Sequence, residues 1–345
     1  MIVIMKGTDI CASGLPIHGG YVELHAHLDG SVTPDIGQEL ARLQGIELPE
    51  DKSALKRMFS VSKNCRDLNS FLECFSAPLS LLQTAEALKV CTELVLENMR
   101  SAGVIYAELR FAPQYHTTRG LSQKEAVAAV LQGIDNSPIP ANLILCCMRS
   151  NNNERENRIT LELAKRLCTK RGYDGGVSAL DLAGAEGLYP TEAFVPLLRE
   201  AAESGVPLTV HAGEAGGDGD IRSALCAGAV RIGHGVRLVP GGKTERAVLE
   251  RGVFLELCPT SNRITGAVED MNGYPLKHFL ESGIRATVNT DDPAIVKTTL
   301  AGEFDYIRQK FGISDGQLRQ LQENAVDAAF ASDGTKRDLR RRLGL

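Results

Sequence analysis

Short apolar or β-branched runs recur along the chain, and the stretches between them carry the three-to-four-residue spacing of amphipathic helices. The runs are Val22 to Leu24, Val104 to Arg110, Leu143 to Met148, Val177 to Leu182, Leu208 to His211, Arg231 to Ile232, Val253 to Leu257 and Arg285 to Asn289. Helical spacing predicts helices over Thr84 to Ala102, Ser122 to Asn136, Glu154 to Arg171, Thr191 to Ser204 and Pro275 to Ser282. Strands that alternate with helices pair in parallel through helical crossovers. Eight of them favour closure into a (β/α)8 TIM-like barrel over an open sheet. No linker composition cuts the chain, so residues 1–345 read as a single barrel domain.

The spacing is uneven in one place. About eighty residues separate the first and second runs, far more than one βα unit needs, and they predict extra helices inserted after the first strand. The insertion leaves the C-terminal end of that strand, which is the active-site face of such barrels. Within it Leu68, Phe71, Leu72 and Phe75 fall at i, i+3, i+4 and i+7 and form one apolar stripe. From spacing alone, packing against the barrel is the plainer reading of the stripe. A lid that dries the site is the sharper one.

Composition narrows the classes. Hydrophobic residues make up 43% and charged ones 23%, which is the balance of a folded chain rather than a disordered one. A net charge of -5 disfavours a nucleic-acid surface and suits a small neutral substrate. The nine cysteines include no C-x-x-C pair, and Cys146 and Cys147 adjoin within an apolar run, so free thiols in a reducing cytoplasm are expected. Met1 to Met5 is too short for a signal-peptide core and no run reaches the ~20 apolar residues of a membrane span, so a soluble protein with no membrane partner is expected.

The chemistry gathers at strand ends. His25 and His27 close the first run two residues apart, and in an extended strand such residues share a face and can converge on one metal ion. Two imidazoles make only part of a metal shell, so further ligands are needed. The fifth run ends in His211-Ala212-Gly213-Glu214, the sixth in Gly233-His234-Gly235 and the eighth in Asn289-Thr290-Asp291-Asp292. The fourth adds Asp181-Leu182-Ala183-Gly184. Singly, each has an ordinary structural explanation: a satisfied core histidine, a helix cap, a turn. In a barrel they meet at one mouth.

The motifs HAHLDG, DLAG, VHAGE, RIGHG, CPTSN-x-x-TGA and NTDDP, in this order, resemble those of the adenosine deaminase family of the amidohydrolase superfamily, from about Val22 to the helix after Asp292. The resemblance implies one zinc ion per chain and hydrolytic removal of the 6-amino group from adenosine and 2'-deoxyadenosine, a purine-salvage reaction. It makes His25, His27, His211 and Asp291 the zinc ligands, Glu214 the catalytic acid and His234 the histidine beside the attacking water. It makes Gly184 a backbone contact to the purine, Asp292 the carboxyl facing its imidazole part, and Asp29 the carboxylate on the ribose, with His27 also beside the substrate. Leu68, Phe71, Leu72 and Phe75 match the family's hydrophobic lid.

Two positions depart from the pattern. Relatives usually read DLAGDE where this chain has Ala185-Glu186, and a family-typical His-Pro is Tyr274-Pro275. Gly241-Gly242-Lys243-Thr244 lacks the glycine of a phosphate loop, where Arg237 stands, and reads as a turn. The H-x-E and P-C-x-x-C design of other zinc deaminases is absent. Rival readings are a deaminase of adenine, of a 5'-modified adenosine or of an adenylate, a binuclear amidohydrolase, and a non-catalytic nucleoside-binding protein. The oligomeric state is not legible in the sequence.

Overall fold

The computed structural model describes residues 19–62, 65–171 and 174–345; Met1 to Met5 lies outside them. Eight parallel strands follow one another: β1 Tyr21–His27, β2 Val104–Phe111, β3 Ala141–Arg149, β4 Val177–Gly184, β5 Thr209–Ala212, β6 Arg231–His234, β7 Phe254–Leu257 and β8 Arg285–Val288. They pair in chain order as β1 to β4 and β5 to β8. One seam joins Leu180 to Leu208, and the other joins Ala26 to Asp291. At the second seam His27 N donates to Asp291 O and Asp291 N to His25 O, both at 2.8 Å. The result is a (β/α)8 barrel.

β1 is longer than its apolar run because it carries both histidines to the seam. Local chemistry explains the helix starts. Thr84 accepts from Ala87 N ahead of the helix Ala85–Ser101, and Ser122 and Glu125 form a reciprocal capping box ahead of Gln123–Asp135. Two expected helices are interrupted at prolines. Thr191 to Ser204 is a 3-10 turn, Thr191–Phe194, followed by an α-helix, Val195–Glu203, because Pro196 has no N–H to continue the ladder. The stripe is likewise split into Leu68–Leu72, a 3-10 turn Glu73–Phe75 and Ser76–Leu81, with Pro78 removing the bond that Cys74 O would accept.

Parallel strands covered on both faces are normally apolar throughout, yet this barrel carries charges inside. Arg110, Arg231, Glu108, Asp181 and Glu256 are all fully buried. Arg231 pairs with Glu108 at 2.7 Å and stacks its guanidinium 3.9 Å from the Phe330 ring centroid. The C-terminal segment seals that end of the barrel, where Ala328 O accepts from Arg231 Nη1 at 3.0 Å. Among the described residues no helix is long and apolar enough to cross a membrane.

Candidate active site

At the other end of the barrel, ring nitrogens of His25, His27 and His211 and a carboxylate oxygen of Asp291 all lie within 4.8 Å of one another. β1 supplies the first two, β5 the third, and the turn after β8 the fourth. Asp291 Oδ1 is 3.2 Å from His25 Nε2 and 3.4 Å from His27 Nε2. The outward-facing nitrogens are held by carboxylates: His25 Nδ1 meets Glu256 Oε2 at 2.7 Å, and His211 Nδ1 meets Asp181 Oδ2 at 2.9 Å. Arg110 ties those carboxylates together, at 2.9 Å from Asp181 and 2.8 Å from Glu256.

This arrangement fits a bound divalent ion. Donating Nδ1–H outward leaves a bare lone pair on Nε2 of His25 and of His211. The buried His25 Nε2 has no hydrogen-bond partner among the described residues. His211 Nε2 faces His27 Nε2 across 3.2 Å. Lone pairs gathered around a carboxylate in a dry pocket repel unless a cation lies between them, and three imidazoles with one carboxylate is a zinc-type donor set.

Beside the cluster, His234 and Glu214 approach to 3.5 Å between Nε2 and Oε2. Both His234 and Asp291 take the left-handed backbone conformation, each with φ 64°, a strain that non-glycine residues carry only where the surroundings enforce it. Burial, with the positive charge of Arg110 nearby, pushes the His234 imidazole well below its usual pKa. Burial, Asp291 and Glu186 push the Glu214 carboxyl up to about 8. Asp292 is raised well above the carboxylate range by burial, then by Asp291, Asp29 and Glu214. Its Oδ1 is buried with no hydrogen-bond partner among the described residues. Gly30 makes room for it, since a Cβ there would lie 1.8 Å from that oxygen.

These groups line a cavity of about 430 Å³, a size suited to a small molecule. All the residues singled out from the sequence for catalysis, substrate or metal line it except the expected metal ligand His25: His27, Asp29, Gly184, His211, Glu214, His234, Asp291 and Asp292, with Leu68, Phe71, Leu72 and Phe75. Phe71 packs with Ile295 and Val296 beside the Asp291–Asp292 turn, and its ring centroid is 5.8 Å from that of Phe75. Asp29 lies in a 3-10 turn rather than continuing the strand. It does not cap the next helix, because Thr33 accepts from Ile36 N there. Burial raises the Asp29 carboxyl to about 6.

Several residues that build the site were given no role from the sequence, although Asn262 and Thr265 stand in the CPTSN-x-x-TGA motif and Tyr274 was noted as a departure. Thr265 Oγ1 donates to Glu214 Oε1 at 3.0 Å, Asn262 Nδ2 reaches His234 Nδ1 at 3.0 Å, and Tyr274 OH donates to Asn262 Oδ1 at 2.9 Å. Glu256 and Arg110 were legible only as charges inside otherwise apolar strands.

A sequence model of the family described as Adenosine deaminase matches residues 21–344. The chain belongs to the adenosine deaminase family. An adenosine deaminase from Haemophilus ducreyi is 42% identical over 326 residues, covering 93% of this chain and 94% of that one. Among solved structures, an adenine deaminase from Arthrobacter aurescens superposes with a TM-score of 0.83 at 29% identity, covering 94% of this chain and 98% of that one. An Arabidopsis N6-mAMP deaminase gives 0.81 at 26% identity, with 94% and 97% covered. This barrel is thus similar to those of proteins whose names specify a free base and a nucleotide, while the sequence relative named above is a nucleoside deaminase.

Proposed function

We propose that this protein hydrolyses the 6-amino group from adenosine and 2'-deoxyadenosine, releasing ammonia and the corresponding inosine. The observation that carries the reading is a buried Glu214 carboxyl, held protonated near neutral pH, beside a cluster of three histidines and one aspartate. His25, His27, His211 and Asp291 would hold one zinc ion. When bound, that ion supplies a Lewis acid that lowers the pKa of water toward 7.

The chain's own groups then act on the ring. Glu214 donates its proton to purine N1, which draws electron density from C6 and stabilises the charge that attack by water places on the ring. Neutral His234 orients the water, and Asp291 accepts a hydrogen bond from it. Asp292, protonated, donates to N7, and Gly184 contacts the purine through its backbone. The water oxygen bonds to C6 as the unprotonated His234 takes one of its protons. That proton passes to the amino group, the C6–N6 bond breaks and ammonia leaves, and the second water proton restores Glu214, whose own proton stays on N1 of the inosine. Leu68, Phe71, Leu72 and Phe75 exclude bulk water, which keeps the Glu214 proton in place.

Charge favours a nucleoside over a nucleotide. Two acidic side chains that are neither proton donors nor metal ligands in this scheme, Asp29 and Glu73, line the cavity. The one arginine or lysine lining it among the described residues is Arg149, and its two Nη groups already donate to Tyr189 O, Thr191 Oγ1 and His211 O. A 5'-phosphate would meet carboxylates and no available cation. The eight cysteines among the described residues are free, which supports a cytoplasmic setting. Mixing pure protein with adenosine and following the loss of ultraviolet absorbance as inosine forms tests the reading; no change at micromolar protein overturns it.

A further inference from the structure

We propose that Glu186 is a positioning residue for Glu214: its carboxylate grips four consecutive backbone N–H groups and so fixes the turn from which the acid projects. The proposal rests on the reading of Glu214 as the acid. Glu186 Oε1 accepts from Gly213 N at 2.6 Å. Its Oε2 accepts from Glu214 N at 2.9 Å, Ala215 N at 2.8 Å and Gly216 N at 2.9 Å. Successive N–H groups that converge in this way form an anion-binding nest, of the kind that elsewhere receives phosphate. Here a side chain from the turn after β4 fills it, and Glu186 is 3% exposed.

The nest is not the start of a helix. The following helix, Asp218–Ala227, has Gly217 at its cap, and Asp220 accepts from Gly217 N there. The turn is shaped around the carboxylate. A Cβ at Gly216 would lie 2.7 Å from Glu186 Oε1, and Gly213 has φ +75°. Because Glu214 N is itself one of the four donors, the bond fixes the base of the Glu214 side chain, while Thr265 holds its tip. Clamped at both ends, the carboxyl has little freedom to swing away from the ring it must protonate.

The clamp also gives meaning to the altered motif. Where relatives usually read DLAGDE this chain reads DLAGAE, and the acidic residue that fills the nest is the one retained. Gly184, two residues before it, lines the cavity, so one short turn carries both the purine-facing backbone and the support of the acid.

A glutamine at 186 keeps the shape but offers one acceptor oxygen and turns an NH2 group toward N–H donors, leaving buried amides without partners. We expect Glu186→Gln to lower kcat by roughly 100-fold with KM changed by no more than about threefold and metal content unchanged. The double variant Glu186→Gln with Glu214→Gln should be about as slow as Glu214→Gln alone, since residues acting through one another are not additive. A kcat near that of the wild type, multiplying losses, or loss of metal in Glu186→Gln overturns the positioning role. If Glu214→Gln itself turns over normally, the reading of Glu214 as acid fails instead. Should Glu186→Gln not fold, amide hydrogen exchange on the wild-type protein decides: slow exchange at Gly213 to Gly216 upholds the clamp, and exchange at unprotected rates overturns it.

Discussion

Thr265 Oγ1 donates to Glu214 Oε1 across 3.0 Å, and this bond assigns the two oxygens of the proposed acid different tasks. Oε1 is occupied as an acceptor, so the proton belongs on Oε2, the oxygen nearer His234.

The pH dependence follows from that proton. Burial, Asp291 and Glu186 raise the Glu214 carboxyl to about 8, so it is protonated below that pH and loses its proton as pH rises through it. Activity in adenosine deamination should therefore fall above about pH 8. Glu214→Gln should lose at least ~100-fold in kcat while retaining metal, and its residual rate should lack this limb. A variant that keeps both the rate and the limb removes Glu214 from the mechanism.

Substrate choice tests Asp29. Its carboxyl is buried at the cavity, and its Oδ1 accepts from Gly30 N at 3.2 Å, which leaves capacity for a sugar hydroxyl. A hydrogen bond between this carboxylate and the 5'-hydroxyl is worth roughly 1.5–3 kcal/mol, or about 10- to 150-fold in kcat/KM. Adenosine should exceed 5'-deoxyadenosine by that factor and also exceed adenine and AMP. Equal rates for adenosine and 5'-deoxyadenosine, or a preference for adenine or AMP, would show that Asp29 does not read the sugar.

The lid can be separated from the core by comparing two readouts on one variant. Phe71 is buried both against Ile295 and Val296 and along the cavity wall, so Phe71→Ala opens a cavity and also admits water. The expected outcome is a larger loss in kcat/KM than the fall in melting temperature explains. Retained kcat/KM with a Tm several degrees lower would make Phe71 a packing residue alone.

Metal affinity should depend on a residue that touches no metal. Glu256 holds His25 Nδ1 at 2.7 Å and is itself paired with Arg110 at 2.8 Å. Glu256→Gln should weaken zinc binding by about 10- to 100-fold, read by competition with a chelator, and wild-type protein should carry about one equivalent. Unchanged affinity in the variant would mean that His25 is oriented by packing alone. Two tightly bound ions in the wild type would contradict a mononuclear centre.

Eight mostly apolar runs alternating with helical spacing were enough to indicate the barrel, because parallel strands buried on both faces are predominantly apolar and their crossovers are amphipathic. The same alternation placed His25, His27, His211, His234 and Asp291 at strand ends, where a barrel brings them together whatever their separation along the chain. The lid's stripe was legible as spacing, but its break at Pro78 and its place on the cavity wall depend on what it packs against. Distance in space decided the rest. Glu186 is 27 residues from the first amide it holds, and Glu256 is 231 residues from His25. Hydrogen bonds of this kind leave no periodic trace, since only closure of the barrel brings donor and acceptor within 3 Å. The pKa of Glu214 likewise belongs to the fold, because a carboxyl is held protonated near neutral pH only once packing has removed water and set other carboxylates beside it.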